Sequence, residues 1–138
     1  MGFKPGNVAK VTLATATVAG MVDWKMDGVS VDLLDTTAFG DTAKKFMTGL
    51  LDYGTVSFNG HYDPADTTGQ GILVSANLNN SKIANVRLYV DSTSYWTPNV
   101  TADTAAGLLM QTFSIGQSVN GLGTIQFSGK CTGPWVLV

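Results

Sequence analysis

From Thr55 to Tyr62 the chain alternates without a fault: Thr55-Val56-Ser57-Phe58-Asn59-Gly60-His61-Tyr62. A period of two puts Val56, Phe58, Gly60 and Tyr62 on one face and Thr55, Ser57, Asn59 and His61 on the other. Such a segment is a half-buried antiparallel strand, with one face on a core and the other in a polar setting. It stops at Asp63-Pro64-Ala65-Asp66. Asp63 suits a helix N-cap, Pro64 the first helical position and Asp66 the third. The spacing predicts a helix of about three turns through Ile72, Leu73 and Ala76, ending near Asn79-Asn80. Gly69 and Gly71 weaken its first half.

The rest of the chain is written in the same strand-and-turn vocabulary. All ten acidic residues are Asp, and there are sixteen Gly. Asp favours turns and caps where Glu would favour helix interiors. Val8–Val18 reads as a strand with Val11 and Leu13 sharing a face. In Gly28–Thr36, Val29, Val31 and Leu33 oppose Ser30, Asp32 and Leu34. Residues Ala38–Lys45 form a polar connection with nothing to bury. The block Phe46, Met47, Leu50, Leu51 fits a helical turn as well as an irregular strand. Lys82–Asp91 reads as a strand with Val86, Leu88 and Val90 on one side, and Tyr95–Asp103, which contains Pro98, as a loop. In the last hairpin, a two-residue Asn120-Gly121 turn would set Phe113 and Ile115 against polar partners. A three-residue loop, Val119-Asn120-Gly121, pairs Ile115 with Ile125 and Phe113 with Phe127, with Gly121 at a left-handed bulge. The count is about seven strands and one helix. We expect one mainly β domain over residues 1–138: an antiparallel β-sandwich or small barrel with a flanking α-helix and a long β-hairpin extension. Residues 1–7 form a Gly/Pro-containing arm.

Several function classes are disfavoured by the residues themselves. The net charge is −2, and the eight basic residues are spread thinly, so no stripe exists to grip phosphates. No stretch approaches the roughly 18 apolar residues of a membrane span, and the start lacks the apolar core of a secretory signal. The single Cys131 cannot form an internal disulfide; in step with Phe127 and Gly129, it belongs to the core face. His61, Asp63 and Asp66 are the one cluster resembling a metal or catalytic site, but no second His exists to complete it. The pair Asp32 and Asp35 has no acid–base machinery built around it. Neither a phosphate-binding loop nor a G-x-S-x-G nucleophile motif is present. No catalytic, cofactor-binding or metal residue is expected, and no enzyme. Only 13% of residues are charged, and sparsely charged surfaces lose little when neighbours cover them.

The stretch VDLLDTTAFGDTAKKFMTGLLDYGTVSFNGHYDPAD, with its F-x-x-G-L-x-D-x-G block, alternating strand and D-P-x-D stop, resembles the central block of major tail tube proteins of long-tailed bacteriophages. The likeness continues through Asn85-Val86-Arg87-Leu88-Tyr89-Val90 and the pair Gln111–Gln117 and Thr124–Lys130. The chain departs from the pattern in its Trp-Thr-Pro-Asn-Val-Thr-Ala-Asp insertion and shows no appended immunoglobulin-like domain. The resemblance implies a structural virion protein of the phage tail, assembled in the host bacterial cytoplasm. Its subunits form hexameric rings that stack into a tube around a tape-measure protein, meet tail terminator and tail-tip proteins, and later conduct double-stranded DNA without binding it specifically. The related tube of contractile injection systems shares this architecture.

Within that frame, Thr55, Ser57, Asn59 and His61 are expected to face the lumen, joined by Ser30 and Asp32 of a partner strand. Segment 38–51 is expected to be an assembly loop with Phe46, Leu50 and Leu51 as inter-subunit contacts, mobile until it docks. A second class stays open: a monomeric β-sandwich module binding a ligand or glycan through Trp24, Trp96 or Trp135.

Overall fold

The computed structural model describes residues 9–14 and 16–138; the expected arm, residues 1–7, lies outside them. Two five-stranded antiparallel sheets face each other. The first runs in the order β12 (Trp135–Leu137), β9 (Tyr95–Pro98), β8 (Val86–Tyr89), β1 (Lys10–Leu13) and β2 (Ala16–Thr17). The second runs β3 (Met21–Asp27), β6 (Thr55–His61), β11 (Thr124–Thr132), β10 (Gly107–Gly116) and β7 (Lys82–Ile83). A two-stranded ladder pairs β4 (Ser30–Asp35) with β5 (Phe46–Asp52). The one helix among the described residues, α1 (Gln70–Leu78), packs along β10.

The core fills the space between the sheets, as the alternating patterns require. Val11, Leu13, Val86, Leu88 and Trp135 come from the first sheet. Val56, Phe58, Leu108, Ile125, Phe127 and Cys131 come from the second, and the helix adds Leu73 and Ala76. The Phe58 and Phe127 rings, directly opposite in register, meet in a tilted arrangement at 5.3 Å between centroids.

The expected sandwich, flanking helix and hairpin extension are present, while several finer expectations are corrected. Among the described residues twelve strands replace about seven: two expected strands each give two, and β3, β9 and β12 lie where no strand was expected. Within the expected strand Val8–Val18 the described residues form two antiparallel strands, β1 and β2, with Ala14 at φ 58° just after β1. Lys82–Asp91 is split between sheets, with Ile83 buried beside β10 and Val86 buried beside β1. Tyr95–Pro98 is a strand rather than a loop. Its pairing with β8 stops at Trp96, so Pro98 lacks no ladder bond there. The Thr97 hydroxyl instead donates to the Val86 carbonyl at 3.0 Å.

The block from Phe46 is a strand, with a bulge where Gly49 and Leu50 oppose Asp32. In the last hairpin Phe113 pairs with Phe127 and Ile115 with Ile125, as expected. The ladder ends at Gly116 and Thr124, however, leaving a loop over 117–123 in which Gly121 is not left-handed.

Asp63 is not the helix N-cap. The helix starts at Gln70 behind Gly69, because Thr67, Thr68 and Gly69 hold helical geometry poorly. Asp63 closes a local turn by accepting from the Ala65 N–H at 3.0 Å. Asp66 serves the helix from outside it: its carboxylate accepts from the N–H groups of Gly69 (3.1 Å), Gln70 (3.0 Å) and Ala19 (2.8 Å). Gln70 is fully buried and ties three segments together. Its amide donates to the Ala19 carbonyl (2.6 Å) and the His61 carbonyl (2.8 Å), and its oxygen accepts from the Asp63 N–H (2.9 Å). The helix still ends where expected, at Leu78, with Asn80 left-handed just beyond.

Candidate functional site

Two surfaces carry features that the core does not explain. The first is the outer face of the second sheet. Along β6, Val56, Phe58 and Gly60 are buried, while Thr55, Ser57 and Asn59 are half-buried and His61 is exposed. The register extends this polarity across the sheet. Ser57 lies level with Lys25, Ser128 and Thr112; Asn59 lies level with Asp23, Gln126 and Ser114. Ser57, Asn59, Thr112, Ser114, Gln126 and Ser128 line a shallow groove of about 220 Å³. Its walls carry hydroxyls and amides, with no ionised group among them. Charged side chains of both signs share the face around the groove: Asp23, Lys25 and Asp27 on β3, with Lys25 and Asp27 paired at 3.3 Å, and Lys130 level with Thr55.

The members on β10 and β11 are absent from the set chosen from sequence. The alternation Gln126-Phe127-Ser128 was the signal that could have found them. Ser30 and Asp32, by contrast, do not belong to this face. Their partner strand is β5, not β6: Ser30 pairs with Asp52, and Asp32 sits against the bulge.

The second surface is the β4–β5 hairpin. Among the described residues its strands pair with each other alone. Nearly every apolar side chain on it is open: Leu50 is 89% exposed, Phe46 54% and Leu51 51%, and Val31, Leu33, Leu34 and Met47 are also exposed. Phe39, at its tip, is fully exposed. An isolated two-stranded hairpin is marginal in water, and an apolar one needs a partner.

The tip is better knit than the composition of 38–45 implies, which corrects the expectation that it lacks local reasons for order. The Thr36 N–H donates to the Lys45 carbonyl at 2.9 Å, and the Lys45 N–H donates to the Thr37 hydroxyl at 2.9 Å. Asp41 accepts from the Ala38 N–H at 2.7 Å and pairs with Lys45 at 3.1 Å; these two contacts, in that order, hold its carboxyl below the usual range. Hydrogen bonds from Thr37 lower Asp35 in the same way.

Nothing resembling a stacking platform emerges from the tryptophans. Trp135 is buried, Trp24 donates its indole N–H to the Tyr89 carbonyl at 3.0 Å, and Trp96 is half-buried. His61, Asp63 and Asp66 do not converge: among the described residues no group of three or more His, Cys, Asp or Glu is placed to hold a metal. No described helix is long and apolar enough to cross a membrane.

No protein-family model matches the sequence, and no curated protein matches it either. Solved structures do match the fold. A chain from the virion of a native gene transfer agent particle superposes with a TM-score of 0.75 at 12% identity, covering 98% of both chains. A chain from the tail of the empty particle of that agent, a structure with C6 symmetry, gives 0.73 at 12% identity with the same coverage. A chain from the sheath–tube complex of an extracellular contractile injection system in its extended state gives 0.66 at 8% identity, over 98% of this chain and 90% of that one. At such low identity the agreement is one of architecture, carried almost end to end. The chain has a phage tail-tube-like fold.

Proposed function

We propose that this chain is a structural subunit of a phage tail tube, closing into rings that stack into a hollow tube and serving no enzymatic role. The observation that carries this is the β4–β5 hairpin, an apolar arm with no sheet partner among the described residues, on a fold shared with virion and tube chains. The second sheet supplies the ring contact. Among the described residues its edge strand β3 is unpaired on the outside, and β10 is paired by β7 only at Leu108 and Leu109, leaving Met110–Gly116 without a strand partner on that side. Open edges are a liability in a monomer and a joint in an assembly. Joining the β3 edge of one copy to the free β10 edge of the next makes a continuous barrel of β3, β6, β11 and β10 from each copy.

In that barrel the hydroxyl and amide face, with Thr55, Ser57, Asn59 and His61, lines the lumen. Six copies close the ring in our proposal, in line with the C6 symmetry of the matched tail. The register also brings Lys25 of β3 and Lys130 of β11 onto this face, but each stands against a carboxylate, Asp27 at 3.3 Å and Asp52 at 2.5 Å, so contact releases few counterions and DNA slides past. Phe46, Leu50 and Leu51 seat the arm on an adjacent subunit. The tape-measure protein inside the tube and the terminator and tip proteins at its ends complete the partners; a matching chain from the tube-terminating cap of an anti-feeding prophage supports the end contacts. The location is the virion tail, after assembly in the host cytoplasm.

Electron microscopy of concentrated protein tests the proposal. Rings or tubes with a central channel are the expected result, and a monomer at every concentration refutes it. The match to a sheath–tube complex favours one second reading, a tube enclosed by a contractile sheath. Native particles imaged with or without a sheath around the tube decide between the two.

A further inference from the structure

The β4–β5 arm is not an independent hairpin. Pairing in the body runs Met26 with Val56 and Asp27 with Thr55, and in the arm Ser30 with Asp52 and Val31 with Leu51. These pairs share one register, so β3 continues into β4 and β5 into β6 as a single long hairpin. At the position where that register sets Gly28 opposite Gly54, both residues have φ 78°. No turn is needed there, since both strands carry on beyond it. Two facing left-handed residues break both strands at the same level, and only glycine holds that conformation freely. The contact is close: a Cβ on Gly54 would lie 2.0 Å from the Asp27 carbonyl oxygen.

The joint also has a body side, a fulcrum and a catch. On the body side, the Gly54 carbonyl accepts from the Cys131 N–H at 3.0 Å. Tyr53 packs against the core and seats the root of the arm. On the arm side, the Asp52 carboxylate accepts from the Gly54 N–H at 2.8 Å and forms an ion pair with Lys130, which belongs to β11 of the body. Beyond Asp52 the arm packs on no other element extensively.

We propose that Gly28 and Gly54 form a two-strand hinge, latched by Asp52 and Lys130, on which the apolar arm swings from its free angle to its docked one. The docked position rests on the tube proposal; the hinge itself does not. From Gly28 to Thr36 the arm reaches about 26 Å at ~3.3 Å per residue. A swing of about 20°, comparable to one twist step between strands, therefore moves the tip by about 9 Å.

Spin labels on Phe39→Cys at the tip and Ser92→Cys on the body read this distance by pulsed electron resonance. Cys131 is buried and its thiol pushed up to about 12, so it takes no label. The expected results are a tip distance that shifts by about 9 Å between free subunit and tube, and a distribution that broadens by a similar amount in free Asp52→Asn. Equal distances in subunit and tube, or a free distribution indifferent to Asp52→Asn, overturn the hinge. Absence of tubes at every concentration refutes the tube proposal, and the hinge is then judged on the free subunit alone. There, broadening by Asp52→Asn supports it and no broadening ends it.

Discussion

Leu50 is the sharpest probe of the arm. It lies in the bulge of β5 and is 89% exposed, so in the free subunit its side chain contributes almost nothing to the core. If assembly buries it, the gain is most of the value of a buried leucine, about 1.8 kcal/mol. Leu50→Ser removes that gain and raises the critical concentration for tube growth about 20-fold, since each 1.36 kcal/mol is a factor of ten. Phe46 and Leu51 are each about half exposed and add roughly 1 kcal/mol apiece. The triple Ser variant should then raise the critical concentration by about three orders of magnitude. Pelleting assays across a dilution series measure it. The urea midpoint of the free subunit provides the control: Leu50→Ser alone should change stability by less than about 0.5 kcal/mol because that position is open, and the triple variant is compared at concentrations where its own midpoint shows it folded. A folded triple variant that assembles within about threefold of the parent concentration shows that the arm is not the contact, and refutes the reasoning.

Gln70→Leu leaves the Ala19 and His61 carbonyls and the Asp63 N–H without their partner, at a cost of about 3 kcal/mol. With a urea slope near 2 kcal/mol/M the midpoint should fall by about 1.5 M, and a midpoint unchanged to about 0.3 M contradicts this account. Burial pushes the Cys131 thiol up to about 12, so the folded state keeps a proton that the unfolded chain releases above its ordinary value near 9. This residue therefore leaves stability untouched below pH 9 and erodes it between 9 and 12, a loss that Cys131→Ala abolishes. The check is a pair of urea titrations across that range. Asn59→Lys puts a cation in the centre of the polar face. Tubes built from it should bind double-stranded DNA with a strong salt dependence while parent tubes do not, and equal, salt-independent behaviour of both rules out Asn59 as a lumen residue.

What the sequence discloses follows from which constraints are local. The alternation in β6 was legible because one face has a core and the other does not. The pairing of Phe113 with Phe127 was legible because any other register sets apolar against polar. Where the chain changes sheet the pattern gives only a faint mark: Ile83 and Val86 are three residues apart and both point inward, an odd step that one strand cannot make, and Ile83 alone stands out of phase with Val86 and Leu88. Pro98 read as a loop because proline breaks ladders, yet it stands where pairing with β8 has already stopped. Asp63 read as a cap because Asp-Pro commonly opens a helix; the buried Gln70 and the triple acceptor Asp66 moved the start to another turn of chain.

The candidate site was half legible for a related reason. A strand pattern says that Phe46, Leu50 and Leu51 want burial but not whose surface buries them. Only their exposure in a subunit whose core is otherwise closed points outside the chain. Gly28 and Gly54 lie far apart in sequence, and no window spans both. Their opposition exists only in the register that the body and the arm share, so the joint becomes visible when both ladders are known. Function in this fold thus sits where local pattern runs out: in apolar residues without an internal partner, and in glycines whose meaning depends on what faces them.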